Sequence, residues 1–151
     1  MREAVLEQEQ VLDVAIERAF DVFADARNLE QLTPPSLRFR IVSTSPIEIR
    51  EGTLIEYRLR VRGIPIRWLT RIAAWNPPHG FVDEQLRGPY ALWHHTHELE
   101  ALGEAQTLVR DRVRYRIGFG PIGTVAHALL VRRELEGIFD FRRRAIGRLT
   151  R

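Results

Sequence analysis

The chain has 151 residues, a formal charge of +3 from 23 basic and 20 acidic side chains, and no cysteine; every basic residue is arginine. Without cysteine or lysine it has no thiolate nucleophile, disulfide framework, Cys-ligated zinc, Schiff base or Walker-type phosphate lysine. The length fits one domain over residues 1–151, able to bury roughly 68–70% of its unfolded surface.

No run approaches the roughly 18 apolar residues of a membrane span. Charges follow Met1-Arg2-Glu3-Ala4 where a signal peptide would be apolar. The expectation is therefore a cytoplasmic protein without stable membrane insertion.

Residues 3–14 alternate mildly and predict a first strand. From Glu17 the spacing becomes helical, with Phe20, Phe23 and Ala24 on one face, and a second short helix is predicted over 27–32, ending before Pro34-Pro35. Strands follow over 37–50 and 53–62, the latter alternating Ile55, Tyr57, Leu59 and Val61 with Glu56, Arg58, Arg60 and Arg62. Gly63-Ile64-Pro65 reads as the next turn. In the strand over 66–75, Ile66, Trp68, Thr70, Ile72 and Ala74 share a face. Further strands over 81–87, 91–101 and 106–117 are separated by Gly88-Pro89 and Gly103-Glu104. Such short turns favour an antiparallel meander. From Gly120-Pro121 onward, Val125, Leu129, Val131, Leu135, Ile138, Ile146 and Leu149 recur at helical spacing, predicting a helix of about 28 residues, or about 40 Å. Gly137 in its middle suggests a bend or a close approach.

A sequence isoelectric point near 10.1 suggests a nucleic-acid partner. The arginines, however, fall on one side of the strand pattern: Arg58, Arg60, Arg62, Arg67, Arg71, Arg110, Arg112, Arg114 and Arg116. Nucleic-acid sheet platforms expose aromatics among their basic residues. Here the outer positions carry Leu54, Leu69, Leu92 and Leu108 instead, so the expectation is a solvated face with Glu56, Glu84 and Glu98 pairing across strands, and no nucleic-acid partner. The opposite, apolar face requires a cover, and the C-terminal helix is available.

Polar residues on that apolar face are the informative ones. His95 and His97 alternate with Trp93 and Leu99, Asp111 lies between Val109 and Val113, and Phe81 shares a face with Asp83 and Gln85. Four explanations remain open: a structural His–Asp hydrogen bond, a cavity wall orienting a ligand, a two-His-one-carboxylate metal site, or a general acid/base pair. A lone His-x-His is weak evidence for metal, so neither metal nor cofactor is expected.

The order of strand, two short helices, six strands and a long helix resembles the helix-grip fold of the START-like, or SRPBCC, superfamily. That superfamily includes the birch-pollen allergen class, lipid-transfer START domains, aromatic polyketide cyclases and coenzyme Q-binding proteins. The local resemblance lies in Ile16-Glu17-Arg18-Ala19-Phe20-Asp21-Val22-Phe23, Arg27-Asn28-Leu29 and Leu32-Thr33-Pro34-Pro35. It continues in Gly88-Pro89-Tyr90-Ala91-Leu92-Trp93, and in Asp111-Arg112-Val113-Arg114-Tyr115 leading to Phe119-Gly120.

The resemblance implies an α+β fold: a seven-stranded antiparallel sheet wrapped around the C-terminal helix, enclosing a mostly apolar cavity. Alternation predicts its lining as Tyr57, Leu59, Trp68, Thr70, Ile72, Gln85, Trp93, His95, His97, Asp111, Val113 and Tyr115 from the sheet, with Leu135, Ile138 and Phe139 from the helix. The two short helices and the turn at residues 77–80 are expected at the mouth.

The first functional expectation is a carrier or sensor of a hydrophobic small molecule such as a lipid, isoprenoid, quinone or polyketide-like aromatic, acting as a monomer or weak homodimer. The alternative is a cyclase or dehydratase with His95 or His97 as general acid/base and Asp111 orienting it. A third is an interaction module whose cavity is incidental. Fold resemblance alone assigns no activity.

Overall fold

Strands that alternate apolar and polar residues, broken by short turns, form one seven-stranded antiparallel sheet in the computed structural model, which describes residues 3–43, 47–118 and 125–150. In chain order the elements are β1 (Ala4–Leu12), α1 (Ile16–Ala24), two 3-10 turns (Ala26–Leu29 and Pro35–Leu37), β2 (Arg40–Ile41), β3 (Leu54–Val61), β4 (Ile64–Asn76), β5 (Gly80–Arg87), β6 (Tyr90–Gly103), β7 (Gln106–Ile117) and α2 (Val125–Leu149). The sheet order is β1-β7-β6-β5-β4-β3-β2: a meander from β2 to β7, with β1 returning beside β7. This is the helix-grip architecture expected from the sequence. The expected helix start at Gly120-Pro121, and Phe119 before it, lie outside the described residues.

Three local expectations are corrected. The turn between β3 and β4 is Arg62-Gly63, with φ of 52° and 79°, so Ile64 and Pro65 belong to β4. Two successive positive φ angles match the two-residue hairpin loop whose twist suits antiparallel strands, and glycine fills one of them without steric cost.

The strand expected over 37–50 is reduced to the pairs Arg40↔Arg58 and Ile41↔Tyr57, part of its range, 44–46, falling outside the described residues. Arg38 turns left-handed at φ 47°, and two arginines face each other in the first pair, which disfavours extended pairing.

In β4 the register shifts between Ile72 and Ala74. The extra residue turns the strand over, so Trp75 packs against Phe20 and Phe81 at centroid distances of 5.1 and 5.4 Å. Strict alternation would have sent Ala74 inward and Trp75 outward.

The outer face carries cross-strand ion pairs. Arg110 meets Glu9 at 3.4 Å and Glu100 at 3.0 Å, Arg112 meets Glu7 at 3.3 Å, Arg114 meets Glu3, and Arg71 meets Glu84. Glu84 thus pairs as expected. Glu56 and Glu98 make no ion pair among the described residues, and the β7 arginines are answered mainly from β1. Pairs this exposed are screened by solvent and contribute little to stability.

The inner face is covered by α2, which docks beside β1: Gln8 donates to Asp140 at 3.2 Å, Gln10 to the Arg143 carbonyl at 2.8 Å, and Arg132 to the Val5 carbonyl at 3.1 Å. α2 is one helix through Gly137, where an added Cβ would meet nothing within 4 Å, so the close approach expected there is absent. Its Ala145 and Ile146 join a core with α1, Leu12, Leu99 and Val109. Its Leu135 and Phe139 join a second cluster with Leu6, Trp93, Val113 and Tyr115. Toward β3 and β4 the helix does not seat on the sheet, and a cavity of about 1100 Å³ remains.

This division sets unequal costs along one helix. Ile146, 1% exposed, is packed in solid core, whereas Ile138 borders the cavity. Ile146→Ala is expected to cost about 2–5 kcal/mol and Ile138→Ala less than about 1 kcal/mol, because the second change leaves little new void. Urea denaturation of the two variants measures the contrast; equal losses would mean that α2 is packed solidly along its length.

Candidate functional site

Inward residues of β3, β4 and β6 meet α2 across the cavity. Tyr57, Leu59, Trp68, Thr70, Ile72, Trp93, His95 and His97 line it from the sheet, and Leu135, Ile138 and Phe139 from the helix. Trp68 and Trp93 meet edge to face at 5.2 Å in the wall and leave the space open.

Four residues expected in the lining lie elsewhere. Gln85 donates to the Tyr90 carbonyl at 2.7 Å and accepts from the Tyr90 amide at 3.1 Å, bracing the Gly88-Pro89 turn. Val113 and Tyr115 pack in the apolar cluster behind Trp93. Asp111 sits behind His95, not on the cavity surface.

The mouth also differs from expectation. Both 3-10 turns border the cavity, through Leu29 and Leu37, but the turn at residues 77–80 does not, because successive hairpins alternate between the two ends of a meander. The β3–β4 hairpin takes its place, with Arg62, Gly63 and Ile64 at the rim. Arg62 Nε donates to Glu134 Oε1 at 2.7 Å, bridging this hairpin to α2.

At one end of the cavity, three strands and the helix bring charged and titratable groups around one another. The His95-x-His97 spacing puts both imidazoles on the inner face of β6. The flanking strands supply Asp83, opposite His95, and Asp111, opposite His97. His95 Nε2 lies 2.8 Å from Asp111 Oδ1, and His97 Nε2 lies 2.5 Å from Asp83 Oδ2. The two rings stack at 3.6 Å, and His97 also stacks on Phe81 at 4.0 Å. α2 adds Arg142, whose Nη2 lies 3.2 Å from His97 Nδ1 and 4.0 Å from Asp111 Oδ1, with its guanidinium 5.4 Å from the centre of the Phe23 ring. Arg142 Nε is buried without a hydrogen-bond partner among the described residues.

These contacts assign protons. Guanidinium only donates, so His97 Nδ1 accepts from Arg142 and the His97 proton sits on Nε2, directed at Asp83. An ionised Asp111 only accepts, so His95 donates to it through Nε2.

Asp83 and Arg142 are the members of the cluster that the sequence-based candidate set lacked. The signal for Asp83 was present, since it shares an alternation class with Phe81. Arg142 follows Leu135 by seven residues and Ile138 by four, which places it on the same helical stripe. A cation on an apolar stripe, facing a sheet with inward carboxylates, marks a buried ion cluster.

No protein-family model matches the chain, and no curated protein matches it. Solved structures do. TTHA0849 from Thermus thermophilus is 19% identical with a TM-score of 0.72, the match covering 97% of each chain. The Zhui aromatase/cyclase from Streptomyces sp. R1128 is 16% identical with a TM-score of 0.70, over 99% of this chain and 92% of that one. A START superfamily protein from Mycobacterium smegmatis is 14% identical with a TM-score of 0.65, over 96% and 98%. Likeness at this level shows a shared fold: the chain has the helix-grip fold of these structures. No helix among the described residues is long and apolar enough to cross a membrane.

The buried cluster sets its own protonation. Burial and the neighbouring His95 lower the His97 pKa to about 4, against the raising effect of the Asp83 hydrogen bond. For Asp111, burial acts to raise the pKa, but Arg142 and the two imidazoles outweigh it and hold the carboxyl well below the usual range. Asp83 is lowered in the same sense, the imidazoles and Arg142 overcoming its burial.

Between the ordinary imidazole value of about 6.5 and about 4, the unfolded chain therefore binds more protons at His97 than the folded chain does. The stability contributed by His97 is complete above that window and lost as pH falls through it, with Asp83 and Asp111 extending the loss at lower pH. Urea midpoints measured from pH 7 to pH 4 should fall, and His97→Gln should flatten that part of the curve. A wild-type midpoint constant across the window would show that His97 is not held neutral.

Proposed function

We propose that the protein binds a hydrophobic small molecule of the lipid, isoprenoid, quinone or polyketide-like class in the space between the sheet and α2. The cavity carries this reading: about 1100 Å³ bordered by aromatic and aliphatic side chains, somewhat above the roughly 300–1,000 Å³ of pockets for drug-sized ligands. Burying about 300 Å² of apolar ligand surface contributes roughly 7.5 kcal/mol before the costs of immobilisation are subtracted.

Asp83, His95, His97 and Arg142 reach the cavity at one end. They would orient a ligand through a hydroxyl or carbonyl group while its apolar body lies along Leu59, Trp68 and Ile138. Surface recognition of nucleic acid plays no part in this reading.

The second reading is catalysis of the cyclase or dehydratase type, and one observation favours it. His95 borders the cavity and is backed by Asp111 at 2.8 Å, the arrangement in which a carboxylate orients an imidazole that exchanges protons with a bound substrate. The structurally similar aromatase/cyclase adds interest to polyketide-like substrates. On this reading His95→Gln abolishes turnover and retains binding.

An environment-sensitive apolar dye tests the cavity directly. One dye should bind per chain and be displaced by long-chain or polycyclic apolar compounds. Leu59→Arg, which places a charge in the apolar part of the cavity, should weaken binding at least tenfold, with circular dichroism verifying that the variant is folded. Undiminished dye binding in folded Leu59→Arg would place the dye on the surface and remove the support for the proposal.

A further inference from the structure

The hydrogen bonds around the stacked histidines leave one feature that ligand orientation does not require. Each imidazole turns one nitrogen to Asp83 and the other to Asp111. Asp83 Oδ2 lies 2.5 Å from His97 Nε2 and 3.6 Å from His95 Nδ1. Asp111 Oδ1 lies 2.8 Å from His95 Nε2 and 3.4 Å from His97 Nδ1.

From this arrangement we propose that Asp83, His95 and His97 bind one divalent transition-metal ion of the zinc or iron(II) class, with Asp111 accepting hydrogen bonds from both ligand imidazoles. The three ligand groups each offer an atom within 4.8 Å of the others. Two imidazole nitrogens with one carboxylate oxygen form a donor set suited to zinc and non-haem iron. A histidine bound to metal through one nitrogen needs an acceptor for the N–H on the other, and such partners fix ring orientation and ligand basicity. One oxygen of Asp111 is placed to serve both rings.

The two carboxylates also differ in access. Asp83, His95 and His97 border the cavity while Asp111 does not, so the remaining coordination positions would face the space where a small molecule can enter.

Binding requires a balanced rearrangement in which the stacked rings, whose planes are 27° apart, turn so that both in-plane lone pairs converge on one ion. His95 already donates from Nε2 to Asp111, and its Nδ1 binds the ion only without a proton. The His97 proton must leave Nε2 and be replaced by one on Nδ1, directed at Asp111, so the ring stays neutral. Arg142 then gives up its bond to His97 Nδ1 and can close the 4.0 Å to Asp111. Asp83 and His97 must separate from 2.5 Å to roughly 3.3 Å, the spacing of tetrahedral ligand atoms about 2.0–2.1 Å from zinc.

The metal site would occupy the polar end of that same cavity but does not rest on the hydrophobic-ligand reading, and apolar-dye binding, which reads the apolar part of the cavity, distinguishes failure of one from failure of the other. The 151-residue chain, freed of metal with a chelator, is titrated with zinc chloride by calorimetry and with cobalt(II) by visible absorption. One zinc per chain is expected, together with the intense cobalt spectrum of a low-coordinate site. His95→Ala and Asp83→Ala should each weaken zinc binding at least 100-fold, and Asp111→Asn roughly 10–100-fold, with circular dichroism verifying that each variant is folded. Absence of stoichiometric zinc binding by the wild-type chain would overturn the proposal, as would binding that persists in folded His95→Ala, or only the weak cobalt spectrum of an octahedral surface complex. The cobalt spectrum is read on the wild-type chain, so the test holds even if a variant fails to fold.

Discussion

A sheet with one apolar face must have that face covered, and among the described elements α2 is the long helix available to do it. The cover is uneven. Near its C-terminal end, small and branched residues, Ala145 and Ile146, let the helix settle against α1 and the closed end of the sheet. Leu135 and Phe139 pack against Trp93 on β6, while toward β3 and β4 the helix leaves the space in front of Tyr57, Leu59 and Trp68 open. The cavity therefore follows from the size and placement of side chains on a single interface. The polar hairpin bridge between Arg62 and Glu134 spans its rim.

The ion cluster lies where solid core gives way to hollow, and its members are stable there only together. Isolated in that setting, either carboxylate or the Arg142 guanidinium would carry a large desolvation penalty. As a group they offset one another: Arg142 faces Asp111 and His97, the imidazoles separate the two carboxylates, and Phe81 and Phe23 supply polarisable ring faces. Such a set can do chemistry because the neutral His97 and the ionised aspartates are imposed by neighbours and not by bulk pH. The unpartnered Arg142 Nε shows that the set is not fully satisfied by the described residues.

Alternation and turn chemistry made most of the fold legible in the sequence. The strand over 106–117 and the inward direction of His95, His97 and Asp111 follow from period-two patterning, which a buried face enforces strongly. What escaped that reasoning had specific causes. The β4 bulge breaks the period at Ile72, so Trp75 changed sides. The Arg62-Gly63 loop needs only two residues, fewer than a Gly-Ile-Pro turn suggests. The short β2 reflects a left-handed Arg38 and an unfavourable Arg–Arg pairing. At the site, Asp111 was correctly directed inward, but its depth behind His95 is a matter of layering that periodicity does not encode. Arg142 was hidden by a composition in which every basic residue is arginine, most of them on solvated surfaces.

The three tryptophans occupy two optically different environments. Trp68 and Trp93 are chromophores in the wall of the cavity, whereas Trp75 is half-buried and packs with Phe20 and Phe81 against the solid core. Intrinsic emission thus combines a signal that responds to whatever occupies the cavity with one that responds to the integrity of the core. A chain carrying Trp75→Phe would emit from the cavity wall alone, so that quenching, a spectral shift or energy transfer to an absorbing guest could be read without an external label. The same side chains that wall the cavity make it visible in solution.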